Sequence, residues 1–300
     1  MSLSRLPGGR SSHRTRACAH LLTALLALVS GAACSTVRLA VVGPLIQDVA
    51  TATARHDDVA LVTQAAPTYL LMLEGLLVDS PDDERLLVAA SEAYTSYGTL
   101  VEAEDPERAL GLYDRARRYA RRALAHDQDV AALLDAPYDQ FVAITEQLDH
   151  GDLATVFWAA SSWGAWISVN TESMAALADL PRVIHLMEWV LERDEAYYFA
   201  APHLFLGMYH ASVPPVLGGQ PEVARAHFER ALELTRGEAL MVPLQMARFY
   251  ARQVFDRGLY ERLLRQVLDA PDQGPAELAL QNRAARQRAA LLLEKADEFF

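Results

Sequence analysis

At 300 residues with a formal charge of −12, the chain is long enough for one large core and too acidic to suit nucleic acid or anionic lipid headgroups. Its apolar fraction of 52 % with only four tryptophans fits packing of helices, and two cysteines, Cys18 and Cys34, exclude a disulfide framework.

Residues 1–34 read as an export leader. Arg5, Arg10, Arg14 and Arg16 make a basic start, Leu21 to Val29 is a short apolar core, and SGAAC ends at Cys34, a lipoprotein cleavage site. The apolar run is shorter than the ~20 residues that span a bilayer. Cleavage makes Cys34 the acylated N-terminus and removes Cys18 with four arginines, so the remaining chain carries a charge of −16. Ser35, not aspartate, follows Cys34, so an inner-membrane retention signal is missing and the expected destination is a lipid anchor in the outer membrane, facing the periplasm. Residues 35–58 are a tether and lead-in, and residues 59–300 form a single helical domain.

From Val59 the apolar period is that of a helix, with Leu70, Leu73 and Leu77 on one face and an end at Asp79. Ser80 is the expected cap of the next helix, with Pro81 at its first position and Asp82 and Asp83 favoured by the helix dipole. That helix carries Ala90, Ser91 and Tyr94 at packing positions. Asp105 then caps a third helix, which Pro106 and Glu107 start, and which places Ala109, Tyr113 and Ala116 at spacings of four and three. The same small, aromatic, small pattern returns as Ala224, Phe228 and Ala231 after Pro221, preceded by the large–small pair Leu206 and Gly207. These are packing positions of a tetratricopeptide repeat: small residues let two antiparallel helices approach, and the aromatic fills the gap. Trp163 with Gly164 holds the same slot as Leu206 with Gly207. Between the last two halves Val213 to Gln220 is an insertion, where Pro214 and Pro215 end one helix and Gly218 and Gly219 permit a reversal.

The anchors Ala109, Val183, Ala224 and Leu263 are 74, 41 and 39 residues apart, so a degenerate unit lies in the first gap, as a helix over 137–148. Residues 152–170 and the stretch from Pro181 supply the next pair of helices. Residues 276–298 form a long capping helix with Arg283, Arg286 and Arg288 outside. No strand alternation of useful length occurs. The expected fold is all-α, an α-solenoid of tetratricopeptide-like hairpins with a long C-terminal capping helix.

The order of segments ALVTQAAPTYLLMLEGLLVDSPDDERLLVAASEAYTSYG, EDPERALGLYDRARRYARRAL, WGAWISVN, LPRVIHLMEWVLERDEAYYFAAPHLFLG and VLGGQPEVARAHFERALEL resembles the TatT lipoproteins associated with TRAP transporters, over roughly residues 55–295. The GG-containing insertion is the most specific piece. The resemblance implies a periplasmic, membrane-anchored repeat protein that self-associates, conceivably as a trimer, docks the substrate-binding (P) subunit of a tripartite uptake system, and binds or passes a small hydrophobic or amphipathic ligand. The loop residues Pro215, Gly218 and Gly219 are the candidates for partner docking.

First-helix positions flanking the packing slots line the concave face of such a stack. These are Glu92, Thr95 and Ser96; Ser161, Ala165, Ser168 and Val169; and Leu204, Met208, Ala211 and Ser212. Trp163 reads first as core, while Trp166 and Asn170 are better placed to line a pocket. The ligand-lining candidates are therefore Ser161, Trp163, Trp166, Asn170, Met208 and Ser212, a set that suits an uncharged or amphipathic ligand better than a metal or phosphate. His203 and His210 lie seven apart, without a third ligand at useful spacing or an HExxH. Arg115, Arg117, Arg118, Arg121 and Arg122 form a basic run that reads as a solvated face paired with nearby acids, with a docking patch for an acidic partner as the alternative. No convergent acid, base and nucleophile can be assembled, so no enzyme and no cofactor is expected. The other reading is a periplasmic repeat scaffold for protein–protein interactions in the envelope.

Overall fold

The computed structural model describes residues 43–213 and 219–300, and its contacts divide the chain into units Met1–Gln47 and Asp48–Phe300. Residues 43–54 form helix α1. The second unit then runs through α2 (Val59–Asp79), α3 (Glu84–Val101), α4 (Pro106–Leu124), the short α5 (Gln128–Leu134) and α6 (Tyr138–Phe141), α7 (Leu153–Ser168), α8 (Met174–Ala178), α9 (Leu180–Arg193), α10 (Tyr197–Ser212), α11 (Pro221–Leu234), α12 (Met241–Gln245), α13 (Arg257–Asp269) and α14 (Ala279–Glu294). Among the described residues there is no strand, as the all-α reading requires.

The repeat positions do what their sizes dictate. Ala109, Tyr113 and Ala116 of α4 are buried against α3, and Ala224, Phe228 and Ala231 of α11 are fully buried against α10. A Cβ on Gly207 would sit 3.2 Å from the Phe228 ring, so the small residue and the aromatic share one gap. Gly164 meets Phe205 of α10 in the same way, with a Cβ position 2.5 Å from the ring. The tightest approach is at Gly98, where a Cβ would fall 2.4 Å from Tyr113. Tyr97 and Gly98 are thus a further large–small pair. Three apolar clusters follow one another along the stack: one across α2, α3 and α4, a middle one centred on α7 and α9, and a last one from α10 to α14.

Three local expectations are corrected. Asp83, not Ser80, caps α3, accepting from the Leu86 amide at 3.0 Å; Ser80 instead closes α2, its amide donating to the Leu76 carbonyl. Residues 137–148 hold one turn of α-helix, Tyr138–Phe141, that tightens into a 3₁₀ segment, Val142–Glu146, because Phe141 and Ile144 must both reach the middle core from a short stretch. Arg286 is turned inward: its guanidinium donates to the Ala270 and Pro271 carbonyls at 3.2 and 2.9 Å and caps the end of α13.

The start of α10 was not foreseeable from propensity. Tyr198, Phe199 and Ala200 have φ of 46°, 60° and 59°, a left-handed turn three residues long that costs on the order of 1–2 kcal/mol per residue. Burial holds it. Tyr198 packs edge-on to Trp158 with centroids 5.1 Å apart and lies 5.4 Å from Phe157, while Phe199 and the fully buried Ala200 enter the last core. Pro202 then falls near the beginning of the right-handed part of α10, where its missing amide is harmless.

Candidate functional site

A solenoid buries its side chains pairwise, so a charged group set back from solvent without a partner stands out. Glu92, on α3, is such a group. It is half-buried by area and makes no ion pair or hydrogen bond among the described residues, and burial pushes its pKa up to about 7. Its charge acts on Tyr69 of α2 and on Tyr197 and Tyr198 at the left-handed turn. Burial first, then Glu92, raises Tyr69 to about 12 and Tyr197 and Tyr198 above the ordinary phenol range. Gln281 of α14 hydrogen-bonds Tyr198. The groups around this recessed carboxyl therefore come from α2, α3, the head of α10 and α14.

What brings α14 to α3 is the return of the chain's end to its beginning. α14 packs on α2, and Arg55 donates to Glu277 at 2.5 Å across 222 residues. Arg248 stands in a six-residue π-helical segment, Met246–Ala251, that continues α12. Burial first, then the neighbouring Arg288, lowers its pKa, while Glu102 of α3 opposes the shift. Glu92 thus stands as a carboxyl poised near neutrality among the aromatic side chains of α2 and the head of α10. Such an arrangement can hold an amphipathic molecule by its polar end.

The structure divides the six ligand-lining candidates between two places. Ser161, Trp163 and Trp166 lie on α7 and Asn170 just beyond it, its amide donating to the Ile167 carbonyl at 3.0 Å. Trp163 is 2 % exposed in the middle core, and Trp166 is half-buried between the first and middle clusters with Arg117 4.1 Å over its ring. Met208 packs on the last core, and Ser212, exposed, donates to the Met208 carbonyl at 2.7 Å. Of the earlier concave-face candidates it is Glu92 that reaches the recess; Thr95 is buried and donates to the Ser91 carbonyl. Cys34, Pro215 and Gly218 lie outside the described residues, and Gly219 directly precedes Gln220, the N-cap of α11.

The basic run of α4 is paired with acids throughout. Arg115 meets Glu74 at 2.6 Å, Arg117 and Arg118 share Asp114, Arg121 meets Asp135 at 2.7 Å and Arg122 lies 3.8 Å from Asp82. His203 and His210 are joined by His227 of α11: the Nδ1 atoms of His203 and His227 are 2.9 Å apart, and the rings of His210 and His227 stack at 5.8 Å. Glu195 takes His203 Nε2 at 3.2 Å and two nitrogens of Arg230. Among the described residues no cluster of three His, Cys, Asp or Glu is arranged to hold a metal ion.

The profile of the family described as TRAP transporter T-component matches residues 55–300, nearly all of the second unit. The chain belongs to that family. No curated protein matches it. The family is described as a transporter component. Sequence reasoning missed Arg248, Gln281 and the tyrosine pair of this T-component, because their neighbours are distant in the chain: Gln281 meets Tyr198, and Arg248 faces Arg288 and Glu102. The available signal was Tyr197–Tyr198–Phe199, three aromatics in a row ahead of a proline, a spacing that no single amphipathic helix can bury on one face.

Proposed function

We propose that this T-component works on the periplasmic side of the envelope, anchored through an acylated Cys34, where it docks the soluble substrate-binding subunit of a tripartite uptake system and holds a small amphipathic ligand. The observation that carries the ligand half of this reading is Glu92, a recessed carboxyl with no ion pair, ringed by Tyr69, Tyr197 and Tyr198. The docking half rests on family membership and on the long connection between α10 and α11, with Pro215, Gly218 and Gly219. Self-association is supported by α2. That helix is long and apolar enough, by length and composition, to cross a membrane, yet Val62, Leu70, Leu73 and Leu77 pack inside the fold, while Leu61, Leu71, Met72 and Val78 are exposed and the one charge among them, Glu74, is paired with Arg115.

The decisive experiment is capture of the cognate substrate-binding subunit by the anchored chain, with residues 213–220 intact and replaced by a short Gly-Ser link. Capture by the intact chain and its loss on replacement is the expected result. Equal capture by both, or none by either, refutes docking through this connection. Mass spectrometry of organic extracts from the purified protein tests the ligand: a small amphipathic compound present in wild type and absent from Glu92→Gln supports the recess.

A further inference from the structure

A second depression lies away from the Glu92 recess, where α4, α7, α9 and the turn after α5 meet. Arg117, Arg121, Leu134, Asp135, Trp163, Asp179 and Arg182 line a cleft of about 350 Å³. Its chemistry is that of a donor-rich wall. Arg121 lies 5.5 Å over the Trp163 ring and Arg182 5.4 Å over Phe141, so two guanidiniums are held against aromatic faces at the wall of the cleft. Arg182 donates to Asp179 at 3.3 Å and to the Ala136 carbonyl at 2.7 Å, which anchors it without using all five of its N–H groups.

Two further donors are left over. The indole Nε1 of Trp163 and the Nε of Arg117 are both buried and have no hydrogen-bond partner among the described residues. A buried N–H without an acceptor carries an uncompensated desolvation cost, and Trp163 is 2 % exposed, so an acceptor entering the cleft recovers what the fold forgoes. The charge balance sets the kind of acceptor. Arg117 is already matched by Asp114 at 2.9 Å and Arg182 by Asp179, whereas the partner of Arg121, Asp135, is 88 % exposed and reaches in from the turn at 2.7 Å. Asp135 is thus a tethered carboxylate in contact with the site's most available guanidinium. Moving it aside leaves one positive charge, room for one monoanionic group, and flat apolar surfaces in Leu134 and Trp163 for a short tail.

We propose that this cleft is a binding site for a small organic monocarboxylate, which displaces Asp135 from Arg121 and accepts from Trp163 Nε1. The site is independent of the Glu92 recess and of docking, and nothing in it depends on the role assigned to either.

The test is titration of the full chain with benzoate, followed by calorimetry and tryptophan fluorescence, with benzamide and inorganic phosphate as the neutral and tetrahedral controls. Benzoate is expected to bind, and both controls to bind at least about tenfold more weakly. Asp135→Asn removes the tethered competitor and is expected to tighten benzoate severalfold, a gain that a purely structural salt bridge would not produce. Arg121→Gln and Trp163→Phe, which keeps a ring in the core, are each expected to weaken it about tenfold. Arg118→Gln, on the exposed side of α4, is the control and leaves binding unchanged. The proposal is overturned if neither wild type nor Asp135→Asn binds benzoate, meaning that water alone fills the cleft. It is equally overturned if benzamide or phosphate binds as well as benzoate, or if Asp135→Asn weakens binding.

Discussion

Replacing Gly98 by alanine sets two effects of opposite sign against each other. Gly98 lies in the last turns of α3, where alanine is favoured over glycine by about 1 kcal/mol through helix propensity. The new methyl, however, would sit 2.4, 2.8 and 3.0 Å from three atoms of the Tyr113 ring. Contact at ordinary distance needs a retreat of roughly 1 Å. Tyr113 cannot swing aside: it is 1 % exposed, and its hydroxyl donates to Glu102 Oε2 at 2.8 Å. The backbones of α3 and α4 must then separate, and overpacking of this kind costs about 1–3 kcal/mol or more. We expect a net loss of about 1–2 kcal/mol, a Tm lower by roughly 2–8 °C for a chain of this size. Gly111→Ala, on the open face of α4 with nothing within 4 Å of its Cβ, is the internal reference and should gain about 0.5–1 kcal/mol. Urea unfolding followed by far-UV circular dichroism measures both. If Gly98→Ala matched or exceeded Gly111→Ala, the claim that a glycine–aromatic gap sets the spacing of the repeat helices would be refuted.

Glu92→Gln should stabilise the protein above neutral pH and do little near pH 4. The folded pKa, about 7, is above the unfolded value, so the native state binds the extra proton and loses stability as pH rises between the two; the gain at pH 8 is about 1–3 kcal/mol, and a pH series of melting curves reads it. The histidine group acts in the other direction. Burial first, then the charges of His203 and His210, lowers His227 to about 4, so its contribution is present above pH ~6.5 and fades as pH falls toward 4. After solvent screening this amounts to about 1 kcal/mol, and His227→Phe should flatten acid unfolding over that interval while leaving the Tm at pH 8 nearly unchanged. Leu71→Glu, on the outward face of α2, should leave the melting temperature within a few degrees of wild type and convert any oligomer to monomer in light scattering; an unchanged mass would exclude that face as the contact.

What could be read from the chain was whatever repeats within a few residues. Asp105 caps α4 ahead of Pro106, and the triads Ala109–Tyr113–Ala116 and Ala224–Phe228–Ala231 face their partner helices, because spacing of three and four puts them on one stripe whatever the rest of the fold does. Where two local solutions compete, packing chose. Ser80 and Asp83 are both competent caps, and only the burial of Leu86 and Leu87 makes Asp83 the one that starts α3. Tyr97–Gly98 was overlooked although it has the same large–small form as Leu206–Gly207, since the neighbouring Ala90–Ser91 pair satisfied the pattern first. The candidate recess was mostly illegible. Glu92 was flagged by its position flanking a packing slot, but its isolation depends on Tyr198 more than 100 residues away and on Gln281 nearly 200 away, and no local period encodes such distances. The pairing of the basic run was anticipated in kind, though the acids come from α2, from the turn between α2 and α3, from the turn after α5 and from α4 itself.

The left-handed turn at Tyr198–Ala200 makes the chain's count of residues there non-negotiable. Tyr197 and Tyr198 feed the middle core and Phe199 and Ala200 the last one, so the addition or loss of a single residue between positions 196 and 201 would deliver each ring to the wrong hydrophobic compartment. Elsewhere, as in the exposed link between α13 and α14, an extra residue would bulge harmlessly into water. Homologous chains should therefore differ in length almost anywhere but at this corner, where both halves of the stack are keyed to the same three positions.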